Sequence, residues 1–281
     1  MLLSVVIITH NEEANIGRTL ASVQSLVFDG KGEIIVVDSG STDRTVEVAK
    51  SYGAKVFIEE WEGYAAQKNS AIDKAIGDWI LSLDADEELG QELAGYIGHL
   101  LLGQSRATIK EGVAAHKFAV VASTISGFWI PRKNEFLGRW IKHGGFWPDP
   151  KLRLFRRGSG RFENRRVHED VQLSGKAGRL VEGAILHHSY PTLTDYLDHM
   201  NRYSSLGAEM VVAKGQVRFS AFNIIVRPAA TFLYNYLFRL GFLDGREGLL
   251  LHLYHAVYVS WKYAKAWELS NRKKQELSSR P

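Results

Sequence analysis

Short apolar runs and longer amphipathic stretches alternate along the first hundred residues of the chain. Four apolar runs predict strands, at residues 2–8, 33–37, 55–58 and 79–83. Three intervening stretches predict helices, at residues 13–27, 41–52 and 64–75. In the first of these helices Ile16, Leu20 and Val23 recur at helical spacing. Apolar strands separated by helices are typical of a parallel sheet with both faces covered, so this part of the chain predicts an α/β fold.

Beyond residue 112 the pattern changes. Two further strands are predicted, at residues 115–122 and 127–131, and residues 132–170 are rich in Gly, Trp, Arg and Lys, as loops often are. Three long helices are predicted after that, at residues 196–214, 220–240 and 243–269. The sequence therefore predicts an α/β domain at residues 1–190 and a helical C-terminal region at residues 191–281.

Composition and charge narrow the class of protein. The chain of 281 residues contains no Cys, which excludes disulfides and thiolate metal sites and favours the cytoplasm. Its apolar start is too short for a signal peptide, and no stretch reaches the ~20 apolar residues that span a bilayer. The net charge of +4 fits an ordinary basic protein or one with an anionic partner, such as phosphates or acidic lipid. No recognisable nucleic-acid-binding module is present, so nucleic acid is not an expected partner.

An acidic pair follows the fourth predicted strand. Asp84 and Asp86 come directly after residues 79–83, and the C-terminal ends of strands are where open α/β sheets bind ligands. Two carboxylates there can hold a divalent cation, which neutralises a diphosphate. The alternative is a loop of solvated acids, with Glu87 and Glu88 in front of the next helix. The position after three earlier strand-to-helix units favours the ligand site.

Polar residues also follow the first two predicted strands. Thr9, His10, Asn11 and Glu12 come after the first, where a His ring can stack on a base and Thr or Asn can hydrogen-bond to it. The alternative is helix capping by Asn11, with Glu12 favouring the helix N-terminus. Asp38 follows the second strand, where an acid can accept hydrogen bonds from a base or a ribose. Both loops therefore predict nucleotide contacts beside the acidic pair.

The turn after the second strand and a lysine in the third predicted helix could also take part in this site. The turn after the second strand is also explained as a capped strand-to-helix turn, with Ser41 or Thr42 as the N-cap residue, although capping leaves Asp38 unexplained. Lys68, in the third predicted helix, can reach a phosphate as a point charge. A solvated Lys on a helix face is the alternative.

Residues 144–171 combine bulky aromatic rings, clustered Arg side chains and a carboxylate pair. Aromatic faces such as that of Trp147 suit sugar rings, and guanidinium groups such as that of Arg153 suit phosphates. Glu169 and Asp170 are candidates for a general base. The alternative is a basic surface with strand edges. No P-loop, dinucleotide fingerprint or His-Glu-x-x-His motif is complete, so kinase and P-loop functions have no support.

Taken together, these segments resemble the family 2 glycosyltransferases, which have the GT-A fold. The resemblance rests on four segments in the same order, at residues 5–12, 34–43, 67–69 and 83–86. The later part is similar to the bacterial lipopolysaccharide-core β-glycosyltransferases, at residues 147–149, 151–155, 167–169, 185–187, 201–203 and 241–245. The resemblance thus implies a mixed GT-A sheet flanked by helices, over nearly the whole chain.

The resemblance also implies a reaction and a donor site. A sugar leaves a nucleotide-sugar, usually a UDP-sugar, and joins an acceptor hydroxyl of a glycan or glycolipid with inversion. His10 and Asp38 would contact the base, and Asp84 the ribose or base. Lys68 would contact the diphosphate, at a position where the family typically has Arg. The Gln-x-x-Arg-Trp motif of processive relatives is absent, which favours one transfer per encounter.

The same resemblance implies a metal and a base. Asp86 would coordinate the Mg²⁺ or Mn²⁺ that bridges the diphosphate, and His187 would be a further metal or phosphate contact. Glu169 would take the proton of the acceptor hydroxyl, with Asp170 as the second candidate. Trp147 and Arg153 are expected to contact the acceptor or a phosphate.

Two competing functions remain open. A sugar nucleotidyltransferase also uses a nucleotide-binding sheet and acids for metal, but needs a basic Gly-rich loop after the first strand, which residues 9–12 do not provide. A membrane-associated scaffold with a degenerate fold is the second.

The basic aromatic helices near Arg218, Arg227 and Arg239 suit a peripheral contact with the anionic inner face of a membrane. An amphipathic packing face or a dimer interface explains them equally well.

Overall fold

The computed structural model describes residues 2–102, 124–163, 170–215 and 217–278. They form two compact units. The first combines residues 1–132 with 149–187, and the second combines residues 133–148 with 188–281. The strand predicted at residues 115–122 lies outside the described residues. The domain boundary predicted near residue 190 stays a prediction.

Strands and helices alternate at the start of the chain, as predicted. The elements up to residue 102 are β1 (Leu3–Thr9), α1 (Ile16–Val27), β2 (Gly32–Asp38), α2 (Thr45–Ser51), β3 (Lys55–Ile58), α3 (Tyr64–Asp73), β4 (Trp79–Asp84), β5 (Glu87–Leu89) and α4 (Gln91–Leu102). The later strands are β6 (Gly127–Ile130), β7 (Arg132–Phe136), β8 (Arg139–Trp140), β9 (Lys151–Arg156), β10 (Gly160–Phe162), β11 (Val171–Leu173), β12 (Ala177–Arg179) and β13 (Ile185–Tyr190). Short strands therefore interrupt the loops predicted at residues 132–170. They leave little periodicity in the sequence, because distant partners hold them in place.

The main sheet of the first unit has seven strands in the order β12-β6-β9-β4-β1-β2-β3. β3, β2, β1 and β4 run parallel to their neighbours. β9 is antiparallel to both β4 and β6, which makes the sheet mixed. The four parallel strands therefore end at one edge, where the polar loops follow.

β1 is the central strand, and every one of its residues is buried. Successive side chains of a strand point to opposite faces, and they enter two different cores here. Val5 belongs to the cluster that includes Leu20 of α1. Val6 belongs to the cluster that includes Ala71 of α3. Both faces of the sheet are thus covered, as the continuous apolar run predicts.

The second unit is helical after β13. Its elements are α5 (Leu193–Ala213), a π-helical turn (Phe222–Val226), α6 (Arg227–Leu233), a second π-helical turn (Tyr234–Phe238), a 3₁₀ turn (Gly241–Asp244) and α7 (Gly245–Ser278). A capping box at Thr192 and Asp195 starts α5. Phe136, Tyr196 and Leu251 form the centre of its core.

The helix predicted at residues 220–240 is observed as one helical run, in which α6 lies between the two π-helical turns. Pro228 lies at the start of α6, and a proline in a helix has no N–H for the carbonyl four residues earlier. That carbonyl belongs to Ile224, and it accepts a hydrogen bond of 2.9 Å from the hydroxyl of Ser260 on α7 instead. The π-helical turns lie directly before and after α6. Within the described ranges, none of the helices combines the length and apolar character that crossing a membrane requires.

Candidate active site

Three neighbouring strands of the first unit bring polar residues to the same edge of the sheet. Thr9, the last residue of β1, is paired in register with Asp38, the last residue of β2. On the other side of β1, Ile8 is paired with Asp84, the last residue of β4. The prediction that these residues meet at the carboxyl ends of parallel strands is therefore confirmed.

Asp38 organises the turn that follows it. Its side chain is fully buried, and Oδ1 accepts hydrogen bonds from the backbone N–H groups of Gly40 (3.0 Å) and Ser41 (2.8 Å). Oδ2 accepts a hydrogen bond from the hydroxyl of Ser41. Gly40 has a φ of +83°, which a side chain would disfavour, so the turn depends on it. The predicted contact of Asp38 with a base stays a prediction.

The capping expected of Ser41 or Thr42 is not observed. α2 begins later, and Asp43 accepts the hydrogen bond from the backbone N–H of Thr45 at 3.0 Å. Ser41 and Thr42 instead join this loop to the one after β1. The hydroxyl of Ser41 accepts a bond of 2.8 Å from the backbone N–H of Asn11, and the backbone N–H of Thr42 donates to Asn11 Oδ1 at 2.8 Å.

The loop after β1 presents its polar groups in different environments. His10 and Asn11 are exposed, and their side-chain nitrogens Nε2 and Nδ2 lie 3.3 Å apart. Thr9 Oγ1 is buried without a hydrogen-bond partner among the described residues. Burial raises the pKa of the Glu12 carboxyl, and the negative charge of Asp86 raises it further. Glu12 therefore lies in the electrostatic field of the acidic pair.

Asp84 is held between two buried cations. Lys68 Nζ lies 2.8 Å from Asp84 Oδ1, and Arg153 Nη2 lies 2.5 Å from Asp84 Oδ2. The side chains of Lys68 and Arg153 are only 7% and 6% exposed, so water screens these pairs little. Burial by itself raises the pKa of Asp84, but the charges of Arg153 and Lys68 outweigh it and hold that pKa well below its usual range. The predicted phosphate contacts of both cations stay predictions, because both are engaged with Asp84.

A second carboxylate completes this network and was missed as a site residue in the sequence. Glu87 is fully buried and accepts hydrogen bonds of 2.9 Å from Arg153 and from Arg132. Its other oxygen accepts from the backbone N–H of Asp84 at 3.0 Å. Arg132 is in turn paired with Asp149 at 2.7 Å. The position of Glu87 directly after Asp86 was the one signal in the sequence, which equally fits an acid in front of the next helix.

Asp86 faces a histidine from a distant part of the chain. β13 pairs antiparallel with β5, with His187 opposite Glu87, and this places His187 Nε2 3.3 Å from Asp86 Oδ2. Burial by itself raises the pKa of Asp86, but the interaction with His187 outweighs burial, and the net pKa lies below its ordinary value. The sequence predicted these two residues as metal contacts, and the structure brings them together.

The Asp86–His187 pair fits a cation whose remaining ligands are phosphates and water. Among the described residues, no group of three or more His, Asp and Glu side chains is arranged to hold a metal ion. Mg²⁺ in nucleotide sites, however, is commonly bound by one or two carboxylates, with phosphates and water as its remaining ligands. The Asp86–His187 pair is compatible with that kind of site.

The remaining predicted residues have other surroundings. Glu169 lies outside the described residues. Asp170 is exposed, and its backbone carbonyl accepts a hydrogen bond from the N–H of Glu163 at 3.1 Å. Trp147 belongs to the second unit, where its ring packs edge-on against Trp140 with centroids 5.2 Å apart.

Comparison with known proteins identifies the family. The profile of the family described as Glycosyl transferase family 2 matches residues 4–96. An uncharacterized glycosyltransferase of Rickettsia typhi is 31% identical over 99% of this chain and 90% of the relative. The lipopolysaccharide core biosynthesis glycosyltransferase LpsC of Rhizobium meliloti is 30% identical over 99% of this chain and 95% of the relative. The crystal structure of residues 1–349 of S. aureus TarS in complex with UDP has a TM-score of 0.49 and 18% identity, over 98% of this chain and 92% of that chain.

The class of protein follows from the two full-length relatives. The chain belongs to glycosyltransferase family 2 and is a glycosyltransferase. The fold predicted from the resemblance, a mixed GT-A sheet flanked by helices, is confirmed.

Proposed function

We propose that the protein is an inverting, metal-dependent and non-processive glycosyltransferase, which moves a sugar from a UDP-sugar to a hydroxyl of a lipopolysaccharide-core or other cell-envelope glycan. The observation that carries the proposal is the Asp86–His187 pair, which follows Asp84 at the carboxyl edge of the parallel strands. The similarity to LpsC supports the acceptor class. We place the enzyme in the cytoplasm, as a peripheral protein at the inner membrane, as part of the same proposal.

The donor nucleotide is proposed to lie across the ends of β1, β2 and β4. His10 and Asp38 would contact the base, with Thr9, Asn11 and Glu12 in the same loop. Asp84 would face the ribose, and Lys68 would add positive charge towards the diphosphate. Two buried groups support a ligand here, since Thr9 Oγ1 and Arg153 Nε have no hydrogen-bond partner among the described residues. Groups of a bound nucleotide or water would complete them.

A Mg²⁺ or Mn²⁺ ion would be held by Asp86 and His187 together with the diphosphate. When bound, it would supply positive charge to the departing nucleoside diphosphate. The protein's own groups have separate tasks. Arg153 and Glu87 hold Asp84 in place, so that the carboxylate beside the donor does not move during transfer.

Proton removal is assigned to Glu169, with Asp170 as the second candidate. As the bond between the anomeric carbon and the diphosphate oxygen breaks, the acceptor oxygen bonds to that carbon and its proton passes to the carboxylate. Trp147 and Arg153 are proposed to contact the acceptor or its phosphate. A sugar ring can stack on the Trp147 indole.

Replacing Glu169 with Gln is expected to lower kcat by at least about 100-fold, because the amide cannot accept the proton. UDP binding, measured by calorimetry, should remain within a factor of about two, because the proposed role of Glu169 is proton transfer rather than nucleotide binding. Asp170→Asn is the matched comparison and should retain most of the activity. If the Asp170 variant loses the larger share, the assignment of the two carboxylates is reversed.

The proposed function is tested by thermal stabilisation and product analysis. Purified protein is screened against nucleotide-sugars with Mn²⁺ and with Mg²⁺, and a UDP-sugar is expected to raise Tm only when the metal is present. Release of UDP confirms a transferase. Release of pyrophosphate from a nucleoside triphosphate and a sugar phosphate would instead indicate a nucleotidyltransferase. Absence of any nucleotide binding would favour a scaffold.

A further inference from the structure

The segment from residue 218 to residue 243 has an unusual distribution of polar and apolar side chains. Its four neutral polar residues with short side chains, Ser220, Asn223, Thr231 and Asn235, are all only partly exposed. Its exposed positions are occupied by apolar residues, by Tyr234 and by three arginines. The usual arrangement of a helix on a water-soluble protein is the reverse.

Large apolar side chains dominate this outer surface, which we call the 218–243 face. Phe222 is 61% exposed, Ile225 is 65% exposed and Phe238 is 78% exposed. Phe219 and Phe242 are also exposed, at 61% and 43%. Scattered exposed apolar residues need no explanation, but a continuous apolar surface marks an interaction site.

The charge of the 218–243 face has a single sign. No Asp or Glu occurs between Glu209 and Asp244, whereas Arg218, Arg227 and Arg239 lie within this stretch. All three arginines are exposed. A partner that covers this face therefore has to supply negative charge as well as apolar surface.

The positive charge extends onto α7. The Arg227 guanidinium lies over the ring of Tyr263, 5.0 Å from its centroid, and Lys262 Nζ lies at the same distance from that ring. Arg239 lies over Tyr234 at 5.9 Å. Burial and the nearby charge of Arg227 lower the pKa of Lys262.

An apolar groove opens on the same side of the helices. It has a volume of about 400 Å³ and is lined by Ile224, Pro228, Phe232, Leu253 and Val257, among others. Ser260 is the polar residue of the lining, and its hydroxyl already donates to the carbonyl of Ile224. The groove therefore offers hydrocarbon contacts and suits an acyl chain rather than a polar ligand.

We propose that the 218–243 face is a docking surface for an anionic lipid bilayer, with its arginines at the headgroups and its Phe, Ile and Leu side chains among the acyl chains. An interfacial helix of this kind needs an apolar face, cations and aromatic residues, and all three are present. A second copy of the chain is disfavoured, because a twofold interface would set an acid-free, arginine-bearing surface against itself. The inference deepens the peripheral location in the proposed function but needs no transferase activity.

The test is flotation of the full chain with lipid vesicles. Binding to phosphatidylcholine vesicles with about one quarter phosphatidylglycerol should exceed binding to pure phosphatidylcholine by at least about tenfold, and should fall as salt is raised. Phe222→Glu combined with Phe238→Glu should reduce binding by about tenfold or more, because two insertion sites become charged. Phe28→Glu is the matched control, since Phe28 is 72% exposed in the first unit and should have no effect.

Three results would overturn this proposal. They are equal binding to neutral and anionic vesicles, unchanged binding of the double variant, and a lipid-independent dimer that the double variant converts to a monomer.

UDP release from a UDP-sugar is measured on the same samples. The double variant should retain it, because neither phenylalanine belongs to the proposed donor site. Vesicle binding without any UDP release would instead contradict the proposed transferase function and leave the membrane-docking proposal standing.

Discussion

Asp86→Asn is expected to lower kcat/KM for sugar transfer by about 10³-fold or more, because a neutral amide is a poor ligand for a hard divalent cation. The Asp86 carboxyl has a pKa below its ordinary value of 3.8, so it is ionised at neutral pH and ready to bind a cation. The substitution keeps the size and shape of the side chain. The loss should therefore come from charge rather than from packing.

A direct metal measurement separates this effect from a general loss of activity. Mn²⁺ affinity in the presence of UDP, followed by electron paramagnetic resonance, should fall by at least about tenfold in Asp86→Asn. His187→Ala should show a smaller loss, because the carboxylate remains. Glu88→Gln removes the same charge two residues away and should leave both metal affinity and turnover unchanged. Wild-type Mn²⁺ affinity in the Asp86 variant would contradict the assignment.

Arg153→Ala is expected to destabilise the protein by about 3 kcal/mol, because Asp84 and Glu87 then keep only Lys68 and Arg132 as cations. Arg153 bonds to Asp84 at 2.5 Å and to Glu87 at 2.9 Å, and Glu87 is fully buried. Chemical denaturation at neutral pH measures the loss. Arg153→Lys should recover only part of it, because a single ammonium group does not reproduce the guanidinium geometry.

An exposed Arg–Asp pair of the same unit gives the control. Arg161 and Asp73 are 2.6 Å apart, but both side chains are 57% exposed. Arg161→Ala should therefore cost at most about 1 kcal/mol. Equal losses in the Arg153 and Arg161 variants would show that burial of the Asp84 network contributes nothing to stability.

The Arg153 variant should also change the dependence of stability on pH. The pKa of Asp84 is lower in the folded protein than its ordinary value of 3.8, so the unfolded chain binds a proton more readily. The stabilisation is complete above the unfolded pKa and is lost as pH falls through the folded pKa. Removing Arg153 removes the largest of the interactions that lower this pKa. The variant should therefore lose less stability between neutral and acidic pH than the wild type does.

Much of the first unit follows from local sequence. The run from Leu3 to Thr9 is apolar at every position up to its last residue except Ser4, which predicts a strand buried on both faces. The ends of such strands locate Asp38 and Asp84 without any further information, because parallel strands share a carboxyl edge. The helices between them were placed within a few residues.

The second unit was harder to predict. Residues 220–240 have the apolar content of one helix, and the helical run is observed, but the π-helical turns around Pro228 were not predicted. A helix can continue past a proline when another group donates to the freed carbonyl, and here the hydroxyl of Ser260 on α7 donates to the carbonyl of Ile224. Residues 133–148 group with the helical region rather than with their neighbours in sequence, which no local pattern indicates.

By itself, the sequence determined which residues stand at the strand ends and that acids follow the fourth strand, since residue type and spacing fix these locally. Only the tertiary structure decided their partners. The pairing of β5 with β13 brings His187 to Asp86 across about a hundred residues, and the pairing of β4 with β9 brings Arg153 to Asp84. Register between distant strands depends on the packing of the whole unit, so the charge state of the acidic pair could not be read from its own segment.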